Sequence, residues 1–105
     1  MIARIGYFNT LTGEREAAAA DNFQRRFRAA ITSQPGLVAG FWLRGERDQV
    51  IALTVWESVQ VMEEGGRRAN QAPLLPGQRG EDIPSPDRVE VAEVIDHFIR
   101  PTAKS

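Results

Sequence analysis

Cysteine is missing from this chain of 105 residues, and histidine occurs only once, as His97. The absence of cysteine excludes disulfides, thiol redox chemistry, cysteine nucleophiles and zinc-finger sites. A single histidine also excludes a metal site built from several imidazoles. We therefore expect no protein-held metal and no cofactor, so that any chemistry must come from other side chains or from the substrate.

An excess of charge of one sign is also missing. Thirteen basic and fourteen acidic side chains give a net charge of −1, whereas binders of nucleic acids and membrane surfaces carry a basic excess. The longest mostly apolar runs, 37–43 and 50–56, are far shorter than the roughly 20 residues that a membrane helix needs. No basic leader with a long apolar stretch opens the chain. We expect a cytoplasmic protein that binds neither nucleic acid nor membrane.

Hydrophobic spacing predicts six elements in one domain spanning residues 1–105. Apolar positions at three- and four-residue steps predict a helix over 14–33, which Gln34-Pro35-Gly36 ends. Ser58 is a predicted N-cap for a second helix that runs to about Gln71. β-branched and aromatic residues predict four strands: 2–8, 37–44, 49–56 and 88–98. The order β-α-β-β-α-β indicates an α+β, ferredoxin-like fold, with a four-stranded antiparallel sheet and two helices on one face.

Two segments carry no predicted helix or strand. Residues 72–87 are rich in proline, and loops longer than about 12 to 15 residues are uncommon in compact domains and often serve as lids or arms. This segment is therefore either an arm or lid, or a passive connection. The tail, 100–105, is expected to fray.

Both faces of the predicted hairpin are apolar. A four-residue loop over 45–48 would place Arg44 opposite Gln49, and would put Trp42 and Trp56 on opposite faces of the sheet. Two helices cover one face of a four-stranded sheet, and monomers rarely expose a contiguous apolar patch. We therefore predict a homodimer in which a second copy stacks its sheet on the first.

Three segments of the chain resemble the antibiotic biosynthesis monooxygenase-like (ABM) family of dimeric α/β barrels. The similarity covers residues 2–98, and the Pro-Gly turn and the Trp-Glu-Ser helix entry are its most specific features. The segments are Ala3-Arg4-Ile5, Gln34-Pro35-Gly36-Leu37-Val38-Ala39-Gly40 and Leu53-Thr54-Val55-Trp56-Glu57-Ser58.

The resemblance implies a pocket between the sheet and the helices of each subunit. Similar proteins include cofactor-free oxygenases of polycyclic phenols, haem-degrading enzymes and proteins without known activity. The haem-degrading branch uses an Asn in the first strand, and a Trp and a His in the second helix. Here Asn9 follows the first strand, Trp56 precedes the second helix and His97 lies in the last predicted strand. This pattern departs from the haem-degrading set.

His97 is the only side chain whose unperturbed pKa lies near neutrality, so it is a candidate catalytic base that deprotonates a phenolic substrate. The alternative is an ordinary residue near the end of a strand. Glu93 lies roughly 13 Å away along the predicted strand, and Asp96 points to the opposite face. Neither residue is expected to share a metal or form a dyad with this histidine.

Three residues of the first strand and its end are further catalytic candidates, namely Arg4, Tyr7 and Asn9. Each offers hydrogen-bond donors that could stabilise a substrate anion. Arg4 is unusual among Ile, Gly and Phe neighbours, because an inward arginine must find a carboxylate or an anionic ligand. The alternative for Arg4 is an ion pair with an acid of the last strand, Glu90 or Glu93.

Aromatic side chains are the candidate substrate contacts. Trp56, Phe23 and Phe27 could wall a pocket for an aromatic ligand, or could simply fill the core or a dimer interface. Gly65-Gly66 removes side chains from the second helix, which either admits a ligand or partner backbone or is a tolerated flaw. Arg25, Arg26 and Arg28 are expected to form a solvated helix face.

The sequence lacks the G-x-S-x-G elbow of hydrolases and the glycine-rich loops that bind nucleotides. Two hypotheses remain. The chain is a cofactor-independent monooxygenase-like protein acting on a small aromatic or quinol-type metabolite, or a non-catalytic homodimeric ligand-binding or stress-related protein of the same fold. A cavity whose polar groups converge on one point near a perturbed His97 favours the first hypothesis. A cavity filled by Phe8, Phe23, Phe27 and Trp56 would exclude it.

Overall fold

Four strands form one antiparallel sheet in the order β2-β3-β1-β4 in the computed structural model, which describes residues 1–9, 11 and 13–101. The strands are β1 (Ile2–Phe8), β2 (Leu37–Arg44), β3 (Val50–Trp56) and β4 (Arg88–Glu93). The helices are α1 (Gly13–Asn22), a π-helical turn (Phe23–Phe27), α2 (Arg28–Thr32) and α3 (Val59–Asn70), with a 3-10 turn at Gly80–Asp82. This arrangement confirms the predicted ferredoxin-like fold. Thr10 and Thr12 of the predicted first turn, and tail residues 102–105, lie outside the described residues.

The segments α1, π turn and α2 form one continuous helix, because the residues at both junctions keep right-handed helical angles. A π turn contains more residues than an α turn, so it changes the phase of every side chain that follows. The prediction that Arg26 lies on a solvated face with Arg25 and Arg28 is wrong, because Arg26 follows the buried Ala19 by seven residues, which is close to two helical turns. Arg26 is only 5% exposed, and its guanidinium bonds to the C-terminal end of α3.

The β2–β3 hairpin has a different register from the predicted one. Arg44 pairs with Val50, which leaves a five-residue loop over 45–49. Two residues of this loop, Arg47 and Asp48, adopt left-handed backbone angles, with φ of 54° and 61°. Trp42 pairs with Ala52, and Ala52 alternates onto the same face as Trp56. Both tryptophans therefore lie on the helix-facing side, so their predicted placement on opposite faces is wrong.

β4 is shorter than the predicted strand over 88–98. Its partner β1 begins at Ile2, which pairs with Glu93, and the Val94 N–H donates to the Met1 carbonyl as the ladder ends. Beyond that point β1 offers no further backbone partner. His97 therefore lies past the end of the sheet, in an exposed segment with no assigned helix or strand.

The buried side chains form two separate clusters between the sheet and the helices. The first cluster contains Phe8, Leu11, Ala19 and Val50. The second contains Ile31, Trp56, Met62 and Ala69. A core divided in this way leaves room for a cavity between its halves.

Candidate functional site

A cavity of about 550 Å³ lies between the helix-facing side of the sheet and the two helices. Pockets for small molecules typically measure about 300–1,000 Å³. The cavity is open to solvent on one side and is lined by both apolar and polar residues, so it is the candidate functional site.

Aromatic rings form one wall of the cavity. Phe23 stacks on Trp42 with 4.5 Å between ring centroids and 25° between planes, and Phe8 meets Trp42 at 5.7 Å. The predicted contacts Phe23, Phe27 and Trp56 all line the cavity. Trp56 is only 1% exposed, so it supports the wall from the core, whereas Trp42 is half-buried and faces the open space.

Arg4 lies on the floor of the cavity, in the middle of β1. It pairs with Thr54 of β3 and Val91 of β4. Its Nη1 lies 3.8 Å from where a Cβ on Gly6 would stand, so the guanidinium extends over the glycine towards Phe8.

Arg4 forms no ion pair with any carboxylate of the described residues. Glu90, one of the two acids considered as its partner, accepts hydrogen bonds from Tyr7 and Arg88 instead. Glu93 pairs with Ile2 at the end of the strand. The inward arginine is therefore available to an anion in the cavity.

Further polar residues of the lining come from the helices. Glu63, Gly66, Arg67 and Asn70 follow one face of α3, and Arg28 lies at the start of α2. Sequence reasoning did not select Glu63, Arg67 or Asn70, whereas it considered Gly66 as a place that could admit a ligand and expected Arg28 on a solvated face. The spacing of three and four residues from Glu63 to Asn70 was the available signal, since it places them in one stripe.

Tyr7 does not line the cavity. It pairs with Ile51 and Arg88, on the sheet face opposite Arg4. Its hydroxyl donates to Glu90 at 2.8 Å, and the Arg88 guanidinium lies 4.1 Å from the ring centroid. The hydrogen bond to the Glu90 carboxylate raises the pKa of Tyr7 above its usual value. Its proposed catalytic role stays a prediction.

Asn9 and His97 also lie outside the cavity lining. The Asn9 N–H donates to Asp87 Oδ2 at 2.7 Å, and its Oδ1 accepts from Gln49 Nε2 at 2.8 Å, which ties the hairpin to the loop before β4. The backbone N–H of the exposed His97 donates to Asp96 Oδ1. The structure thus brings Arg4 together with the aromatic candidates, and places Tyr7, Asn9 and His97 elsewhere.

The proline-rich segment 72–87 closes one side of the cavity through Pro84 and Pro86. Gln78 Nε2 donates to Asp21 Oδ2 at 2.9 Å and anchors the segment to α1. This bond, with a second from Arg25, lowers the pKa of the Asp21 carboxyl. The segment is a wall of the site, and its function as a lid stays a prediction.

Metal-binding clusters and membrane-spanning helices are both absent from the described residues. No group of three or more His, Cys, Asp or Glu residues within the described ranges is arranged to hold a metal ion. No helix in the same part of the chain is both long and apolar enough to cross a membrane.

No protein-family model and no curated protein matches the sequence. Solved structures do match. A MhuD mutant with two manganese protoporphyrin IX molecules bound per active site has a TM-score of 0.67 and 15% identity, over 95% of this chain and 100% of that one. A putative antibiotic biosynthesis monooxygenase from Chloroflexus aurantiacus has a TM-score of 0.58 and 17% identity, over 94% and 98%. This chain has the ABM-like fold.

The monooxygenase from the ActVA-Orf6 gene of Streptomyces coelicolor, in complex with nanaomycin D, extends the comparison. It matches the ABM-like chain with a TM-score of 0.57 and 13% identity, over 96% of this chain and 92% of that one. The resemblance predicted from the Pro-Gly turn and the Trp-Glu-Ser entry is thus confirmed at the level of the fold. Identities of 13–17% establish no reaction, because one fold can carry many activities.

Proposed function

We propose that this ABM-like chain is a cofactor-independent monooxygenase of a small aromatic or quinol-type metabolite. The observation that carries the proposal is the cavity, in which aromatic rings adjoin an inward arginine that has no carboxylate partner among the described residues. Two of the similar structures, from Chloroflexus aurantiacus and Streptomyces coelicolor, are described as monooxygenases. We also propose that the protein is located in the cytoplasm.

The reaction needs little from the protein. A phenol loses its proton, and its ring donates electrons to dioxygen. One oxygen atom enters the ring as a quinone carbonyl, and the other leaves as water with the two hydrogens that the phenol gives up. Arg4 stabilises the phenolate and the peroxide anion that follows it, because a fixed cation in a partly dry site acts on charge as it develops.

Oxygen uptake with a panel of phenols and quinols tests this proposal. We expect at least one compound to raise uptake, and Arg4→Gln to lower kcat/KM by about 10²–10³, the usual effect of losing one anion-stabilising donor. Arg68→Gln is the matched control, because Arg68 pairs with Glu64 and does not line the cavity. Uptake that no compound stimulates would contradict the proposal, as would equal rates in the two variants.

The same oxygen-uptake assay identifies the residue that accepts the phenolic proton. Among the described residues, Glu63 is the only carboxylate that lines the cavity, whereas the predicted base, His97, lies beyond the sheet. Loss of rate in His97→Gln with Glu63→Gln unaffected supports the histidine. The reverse result rejects the histidine and assigns the acceptor to Glu63.

A non-catalytic ligand-binding protein is the second candidate function. It is favoured by the absence of histidine from the described lining of the cavity and by the exposure of Glu63. Compounds that bind without oxygen uptake, together with no change of haem absorbance on titration, would select this alternative.

We also propose that the chain forms a homodimer through the sheet face that carries no helix. Phe41 and Leu43 on that face are 52% and 42% exposed. The strand registers place further apolar residues beside them, namely Ala3, Ile5, Ala39, Ile51, Leu53 and Val55. Ile95, Phe98 and Ile99 of the segment after β4 are almost fully exposed as well. A second copy would remove this apolar surface from water.

Sedimentation at micromolar concentration tests the dimer. We expect a particle of about twice 11.7 kDa and dissociation in Leu43→Lys, because a charge on the buried face of a dimer is costly. Val91→Lys is the matched control, since Val91 is 53% exposed but lies on the helix-facing side, beside Arg4. A folded wild-type monomer would overturn this part of the proposal.

A further inference from the structure

We infer that the cavity binds a planar aromatic ligand that carries a carboxylate, held by Arg4 and attracted by Arg28 and Arg67. The inference deepens the proposed function and rests on it for the choice of site. It adds the chemical class of the ligand, which the fold comparison leaves open.

The charge of the cavity differs from that of the chain. Three arginines and one glutamate line it, a local charge of +2, whereas the whole chain carries −1. The side chains of these arginines form no ion pair with any carboxylate of the described residues. A cleft of one charge sign concentrates ligands of the opposite sign. The cavity therefore selects anions although the protein as a whole does not.

Arg4 is the anchor because it is half-buried on the floor, while Arg28 and Arg67 are exposed. A guanidinium that has lost part of its water needs an anionic partner, and its planar fork matches a carboxylate. Thr54 is the cross-strand neighbour of Arg4. Its Oγ1 accepts a hydrogen bond from Trp56 Nε1 at 2.9 Å, so its own O–H remains available to donate. Thr54 is thus a further donor on the floor of the cavity.

The aromatic part of the ligand is inferred from the side chains that lie next to the Arg4 guanidinium. The Arg4 guanidinium extends towards Phe8, which contacts Trp42, and Trp42 stacks on Phe23. A ring system attached to the bound carboxylate would lie against this wall, in the offset or tilted arrangements that aromatic rings prefer. A neutral aromatic ligand would leave Arg4 without an anion.

Isothermal titration calorimetry with 2-naphthoate and its uncharged isostere 2-naphthamide tests the inference. We expect the wild-type protein to bind naphthoate at least tenfold more tightly than the amide, which is the usual scale for a charge-assisted hydrogen bond. Arg4→Gln should abolish this preference, and Arg4→Lys should restore part of it because the charge returns without the fork. Circular dichroism of each variant verifies that it is folded.

The exposed arginines provide a second readout. Arg67→Gln should weaken naphthoate binding by about two- to fivefold, less so at high salt, and Arg68→Gln one residue further along α3 should not change it. Equal affinity for acid and amide would overturn the inference, as would an unchanged preference in Arg4→Gln or no binding at millimolar concentration. If the protein prefers the acid but shows no oxygen uptake with any phenol, the inference about the ligand is upheld and the proposed function is rejected. If it shows oxygen uptake but no preference for the acid, the proposed function is upheld and the inference about the ligand is rejected.

Discussion

Replacing Arg26 by methionine should lower the free energy of unfolding by about 2–4 kcal/mol, because three charge-assisted hydrogen bonds are lost and water can satisfy their part-buried acceptors only in part. The Arg26 guanidinium donates to the carbonyls of Asn70 at 2.7 Å and Ala72 at 2.9 Å, and to Asn22 Oδ1 at 2.9 Å. It thereby binds the first helix to the C-terminal end of α3, where the last carbonyls of a helix lack partners. Methionine keeps the volume of the stem and supplies no donor.

Chemical denaturation of Arg26→Met beside Arg25→Met measures this effect. Arg25 is exposed and pairs only with Asp21, four residues earlier on the helix surface, so its loss should cost no more than about 0.5 kcal/mol. If the two variants unfold at the same denaturant concentration, Arg26 does not hold the helices together.

Replacing either of two adjacent glycines of α3 by alanine adds one methyl group, and the two replacements should change the stability of the protein in opposite directions. A Cβ on Gly65 would overlap Cζ3 of Trp56 and would stand 2.6 Å from Cη2 of the same ring. The indole is held by its bond to Thr54 and is buried, so Gly65→Ala must displace the helix or the ring. Overpacking of this kind costs about 1–3 kcal/mol.

Gly66→Ala is the matched control for that change. No atom outside the helix lies within 4 Å of the added Cβ, so the gain in helix propensity, up to about 1 kcal/mol relative to glycine, should appear as added stability. Thermal unfolding of the two variants measures the difference. A shift of both melting temperatures in the same direction would show that the contact between Gly65 and Trp56 does not decide the position of α3.

Local signals in the sequence were sufficient for the order and type of the elements. Gly36 adopts a φ of +85° after the first helix, where a left-handed residue ends the helix and glycine is favoured. Ser58 accepts a hydrogen bond from the Val61 N–H, as expected of an N-cap. Signals of this kind depend on a few neighbouring residues, so they can be interpreted without the tertiary structure.

Features that depend on distant partners were not predictable. The loop of the β2–β3 hairpin is one residue longer than predicted. Arg47 and Asp48 adopt left-handed backbone angles there, and the sequence lacks at these positions the glycine that usually indicates such angles. Since strand side chains alternate with a period of two, that single residue moves Trp42 to the cavity side. The end of β4 is set by the length of β1, and this kept His97 out of the sheet.

The candidate site was predictable only in part for the same reason. Arg4 could be selected because a charged residue is unusual within an otherwise apolar central strand, whatever surrounds it. Arg28 could not be selected, because it follows the π turn, and that turn changes the direction in which later side chains of the helix point. Arg67 could be placed on a polar stripe, but its contact with the cavity depends on how α3 packs against the sheet.

The indole N–H signals of the two tryptophans test the central claim most directly, because both residues line the cavity. In a ¹H–¹⁵N spectrum recorded during addition of 2-naphthoate, both signals should move together and saturate at the affinity that calorimetry gives. Backbone amides of the opposite sheet face, such as that of Leu43, should stay in place. Unmoved indole signals with shifts confined to that opposite face would contradict a ligand site between the sheet and the helices.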